Sequence, residues 1–66
     1  MKLTLHKNKL TGGKVVIFPD GSNVIFAADD DVDFDFMARE YKAGRINDFG
    51  GCSNACIGEP IMEMVV

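Results

Sequence analysis

The sequence predicts an α+β fold in the order β-β-β-α-β: an antiparallel sheet with a central hairpin, and one helix packed on one face. Three observations predict it. Met1, Leu3 and Leu5 alternate with Lys2, Thr4 and His6, the period of two that marks a strand with one buried and one wet face. Two β-branched and aromatic runs flank Pro19-Asp20-Gly21-Ser22. Phe34, Met37, Ala38 and Tyr41 stand at i, i+3, i+4 and i+7, which places them on one face of a helix.

Taken in order, the first strand is expected over residues 2–7, with His6 on its wet side as a surface residue. Residues 8–13 contain Asn, Thr and a Gly-Gly pair, which supply turn conformations and end the strand. The hairpin strands fall at residues 14–18 and 23–27. Between them proline presets φ at the first central turn position and glycine accepts the left-handed one. The helix is expected over about residues 33–43, with Asp33 as N-cap and Gly44 just past the last turn. Residues 47–54, with Gly50-Gly51, read as loop. A last strand is placed at residues 61–65, after Pro60, since proline is tolerated at a strand start or edge. No repeat or internal boundary divides the chain, so residues 1–66 form one small domain.

A chain of 66 residues buries only about 60% of the surface that it exposes when unfolded, and one small core rarely supplies more than ~3–5 kcal/mol. Both hairpin strands and the tail carry apolar side chains on two faces, while one helix covers roughly one face of four strands. The expectation is a homodimer with Ile61, Met62, Met64 and Val66 at or near the interface. The apolar stretches are far shorter than a bilayer span, and the N-terminus shows no signal-peptide pattern. A cytoplasmic location with no membrane contact is therefore expected, with Cys52 and Cys56 as reduced, small buried residues flanking a turn.

Charge is segregated along the chain. Residues 1–14 carry four lysines and no acid, whereas residues 15–66 carry all ten acids against Arg39, Lys42 and Arg45. Asp29, Asp30, Asp31, Asp33 and Asp35 fall within seven residues, a run that repels itself unless a cation, a helix N-terminus or a basic partner offsets it. The overall charge is -3 with a pI near 4.8. Lys2, Lys7, Lys9 and Lys14 lack interleaved aromatics, so direct nucleic-acid binding is not expected.

Three chemistries bear on these residues. Asp29, Asp31, Asp33 and Glu40 partly match a calcium loop, but the position that needs glycine is Phe34 and a strand rather than a helix leads in. Cys52 and Cys56 with His6 supply three zinc-type ligands where a structural site needs four. No nucleophile, base and orienting group form a catalytic set, and no Walker loop surrounds Gly12-Gly13-Lys14. The reading is a non-enzymatic protein-protein interaction module that needs no cofactor. Its aspartate segment, residues 29–35, would engage a basic surface of a partner protein. An inhibitor that competes with nucleic acid for such a surface is the sharper form of this reading. A compact chain beginning at Met1 also suits products of phages and mobile elements. The alternative is a small metal-binding protein, using the aspartates for calcium or the cysteines for zinc.

Overall fold

The computed structural model describes residues 1–46 and 49–66. Strands β1 (Lys2–Asn8), β2 (Lys14–Ile17) and β3 (Asn23–Phe26) precede helix α1 (Phe34–Lys42), and β4 (Ile57–Val65) closes the chain. They form one antiparallel sheet in the order β3-β2-β1-β4. The predicted element order and fold class are those of the structure.

Local chemistry explains each junction. The β1-β2 connection is built on Asn8, which is 98% hidden from solvent. Its Oδ1 accepts from the N–H groups of Leu10 and Thr11, and its own N–H donates to the Gly13 carbonyl. In the hairpin turn Gly21 takes φ 90°, a left-handed conformation that costs glycine little, and Ser22 N–H donates to the Asp20 carboxylate. Asp33 caps α1 as expected, with its Oδ1 accepting from Phe36 N–H at 3.0 Å. Asparagine caps nearly as well as aspartate, so Asp33→Asn should melt close to the parent, while Asp33→Ala should lose about 1 kcal/mol. A urea titration that gives equal midpoints for the parent and the alanine variant would remove the cap from the account.

The main core lies between the sheet and the helix. Leu3 and Leu5 of β1, Val16 and Phe18 of the β2 segment, and Val24 of β3 meet Met37 and Ala38 of α1. Phe18 also stacks on Tyr41, with ring centroids 4.8 Å apart. The register explains why these residues share a face, since Leu5 stands opposite Val16 and Val16 opposite Val24, and directly opposed residues point the same way. Val15, next in sequence, must then point to the far face.

That far face differs from the sequence expectation. Val15 is completely buried within a single chain, but it does not belong to the core beneath the helix. The element available to cover it is the protein's own return segment. After the helix the chain runs beside the outer edge of β3, where Ile25 N–H donates to the Gly50 carbonyl. Asn23 there exchanges hydrogen bonds with the Cys52 backbone. A Cβ on Gly51 would stand 2.9 Å from the Asn23 carbonyl oxygen, so the closeness of this approach requires glycine. The chain then passes through a 3-10 turn at Asn54–Cys56 and enters β4 beside Asn8. To go from the β3 edge to the far side of β1 the segment must cross the sheet, and α1 occupies the other face. The middle of the second face is thus covered in cis.

Two further expectations change here. Cys52 and Cys56 are joined in a disulfide, with Cα atoms 6.3 Å apart; they are not a pair of reduced thiols. The bond closes a small loop within the crossing segment and leaves neither sulfur as a free thiolate ligand. β4 begins at Ile57 rather than residue 61. Its first half runs alongside β1 with register shifts between Leu5 and His6 and between His6 and Asn8, and that irregularity on an outer strand accommodates Pro60. His6 is half-buried, with Nδ1 3.1 Å from the Gly58 carbonyl oxygen, because β4 extends past it; it is not a free surface histidine.

Candidate functional site

The aspartate segment is an ordered display. From the end of the β3–α1 connection into the first turn of α1, Val32 and Phe34 are half-buried against the core while Asp31, Asp33 and Asp35 are exposed around them. Asp33 at the cap is extended, and the helical phase that begins with Phe34 places that ring on the face of Met37, Ala38 and Tyr41 and leaves Asp35 outside it. The two apolar residues therefore pin the backbone while the carboxylates face water. Asp29 and Asp30 are exposed as well.

The carboxylates divide by their use. Asp30 closes a turn: its N–H donates to the Ala27 carbonyl at 3.2 Å, and its Oδ2 accepts from Ala27 N–H, also at 3.2 Å. The Asp30 carbonyl accepts from Lys14 Nζ at 2.8 Å, which ties the basic N-terminal segment to the start of the acidic run. Asp33 caps the helix. Asp35 lies in its first turn, where the unpaired N–H groups and the helix dipole favour negative charge.

Sequence reasoning missed an aromatic residue within this surface. Phe36 is off the phase of Phe34, Met37, Ala38 and Tyr41, and 41% of it remains exposed. It meets Phe49 edge to face, with centroids 6.3 Å apart. The phase mismatch was visible in the sequence. Its position against Phe49 was not, because that contact depends on the return path of the chain after α1. The result is a small apolar spot beside Asp33 and Asp35 in sequence.

The calcium pattern does not assemble. Glu40, the proposed twelfth-position ligand, binds Arg45, whose Nε lies 2.9 Å from Glu40 Oε2 and whose Nη2 contacts the same oxygen. The hydrogen bond from Arg45 holds the Glu40 carboxyl below its ordinary value of 4.5. Among the described residues no three His, Cys, Asp or Glu side chains are grouped to hold a metal ion, and no pocket opens on the surface. Among them, too, no helix is long and apolar enough to cross a membrane.

Of the residues predicted for an interface, Ile61, Met62 and Met64 lie on β4 and Val66 directly follows it. Met62 and Met64 stand opposite Leu5 and Leu3, on the helix side of the sheet. Val66 exchanges backbone hydrogen bonds with Met1 at 2.7 and 2.8 Å and packs at the margin of the core. Ile61 sits at the register shift and is 54% exposed. The structure thus leaves all five aspartates exposed within one segment and sets the tail residues on and just past the last strand. Comparison with known proteins adds no relative: no family model matches the chain, and no curated protein or solved structure is found to be similar.

Proposed function

We propose that this chain is a non-enzymatic binding module that engages a basic surface of another protein through Asp29, Asp30, Asp31, Asp33 and Asp35. The observation that carries the proposal is the exposure of all five side chains on a backbone pinned by Val32 and Phe34. Charges held in place before binding lose little conformational freedom when they meet a partner, and a one-sign surface accelerates encounter with the opposite sign. Phe36, exposed beside them, supplies apolar contact of the kind that anchors interfaces. Proteins that bind nucleic acid carry suitable basic surfaces, and occupying one would exclude its phosphate ligand. In that case the module acts as an inhibitor.

The test separates charge from fold. Asp29→Asn, Asp31→Asn and Asp35→Asn combined should leave the melting curve within about 1 kcal/mol of the parent, because exposed charges contribute little to stability. Capture from native lysate by the parent identifies the partner. Association of that partner with the triple variant should then be slower by about tenfold at low salt and show a flatter salt dependence. A partner bound at the same rate and with the same salt slope by both proteins would overturn the proposal.

A further inference from the structure

The two edges of the sheet are treated differently by the fold. The β3 edge is occupied by the return segment, through Ile25 N–H to the Gly50 carbonyl and through Asn23 to Cys52. β4 is the other outer strand. Its first half is blunted by Pro60 and two register shifts, whereas Met62 to Val65 pair regularly with Leu5 to Lys2. Natural proteins protect strand edges with such irregularities, so the regular half of this edge stands out.

Its hydrogen-bonding direction follows from the termini. Met1 and Val66 exchange both backbone bonds, and antiparallel pairs alternate between bonded and non-bonded types. Leu3–Met64 and Leu5–Met62 are then bonded pairs that use their groups within the sheet. Glu63 and Val65 belong to the non-bonded pairs, so their N–H and C=O groups point away from β1 to the open edge. Beside that edge Val65 is 77% exposed and Met62 40%.

We infer that this edge pairs with the same edge of a second copy, antiparallel about a twofold axis through Met64. The register follows from charge and from strand regularity. An axis through Glu63 would set two carboxylates directly opposite each other, which is destabilising. An axis through Met62 would run the ladder into Pro60 and the irregular half. The axis at Met64 avoids both and pairs like with like on the helix side, where Met64 meets the partner's Met64 and Met62 meets the partner's Val66. On the other side Val65 meets the partner's Glu63, each exchanging both outward backbone bonds. Lys2 stands opposite Val65 in its own chain and already lies 3.6 Å from its own Glu63. The same row therefore carries Lys2 toward the partner's Glu63, two strands away at about 9.6 Å, a span that two long side chains can bridge. Charge complementarity in this register makes a second copy the fitting occupant. The pairing is independent of the acidic surface on the opposite side of the chain's charge map and stands or falls without it.

Two measurements test it. Sedimentation at micromolar concentration and above should give about twice the 7.2 kDa chain mass for the parent. Val65→Lys, at an exposed position where folding has no use for valine, should sediment as a monomer with an unchanged melt. Met64→Cys under mild oxidation by glutathione disulfide should form a covalent dimer, since non-bonded antiparallel partners stand about 4.5 Å apart between Cα atoms, within the range a disulfide spans. Glu63→Cys should not, because its counterpart would lie about 8 Å away, beyond that range. A parent that stays monomeric with Met64→Cys uncoupled, a dimer unaffected by Val65→Lys, or faster coupling through position 63 than through position 64 would overturn the inference.

Discussion

Leu3→Ala should leave most of the chain unfolded at 25 °C. Leu3 is fully buried at the centre of the core beneath α1, and truncating such a leucine costs about 2–5 kcal/mol once the cavity is counted. A domain of this size has about 3–5 kcal/mol in total from a single core, so the loss is comparable with the whole stability. Far-UV circular dichroism should show a largely unstructured chain, and the urea transition should lose its folded baseline. Leu10→Ala is the control: Leu10 is 69% exposed, and the same change of residue there should move the midpoint little. A Leu3→Ala protein that melts cooperatively within about 1 kcal/mol of the parent would mean that the β1 register is wrong.

Reducing the Cys52–Cys56 disulfide should lower stability by about 2 kcal/mol, the chain-entropy value for a loop of about five residues. In a protein with so little reserve this is a shift of many degrees in the melt. The effect should also have a location. The bond lies in the segment that crosses the second face, so reduction should accelerate amide exchange at Ile25, whose N–H donates to Gly50, ahead of Leu5 in the centre of the sheet. Cys56 is buried, so slow reduction under native conditions followed by rapid reduction in urea is expected from limited access. Coincident melts for oxidised and reduced protein would show that the crossing segment holds without its bond. Uniform acceleration of exchange would show that it is not a separate unit.

These two results bear on how a chain of this length holds its core together. The helix covers one face of the sheet, and the disulfide-closed crossing segment covers the centre of the other. Val15, the most deeply buried residue of the far face, is hidden within a single chain. The inferred pairing of β4 rests on an open strand edge, a different physical feature with its own test.

Much of the local structure was legible in the sequence because it depends on neighbours in the chain. The alternation in residues 1–6 is a steric consequence of the pleat, the Pro19 to Ser22 turn follows from allowed φ values, and Asp33 caps because its carboxylate reaches an N–H three residues on. Gly44 adopts φ 76° one residue past the C-cap, as a left-handed terminator should. The exposure of the five aspartates followed from their charge. The inward turn of Phe34 was present in the helical phase that it shares with Met37, Ala38 and Tyr41.

What tertiary structure alone decided are pairings between distant residues, which no local propensity encodes. The order β3-β2-β1-β4, the early start of β4 through Pro60, the contact of Phe36 with Phe49 and the crossing of residues 50–56 all depend on the path taken after the helix. The disulfide belongs with them: two cysteines four apart are compatible with free thiols, metal ligands or a bond, and the fold of the crossing segment brings them together. Val15 shows the division most plainly. Its alternation with Val16 settles that the two point to opposite faces, but only the return of the chain over the second face determines that both are buried.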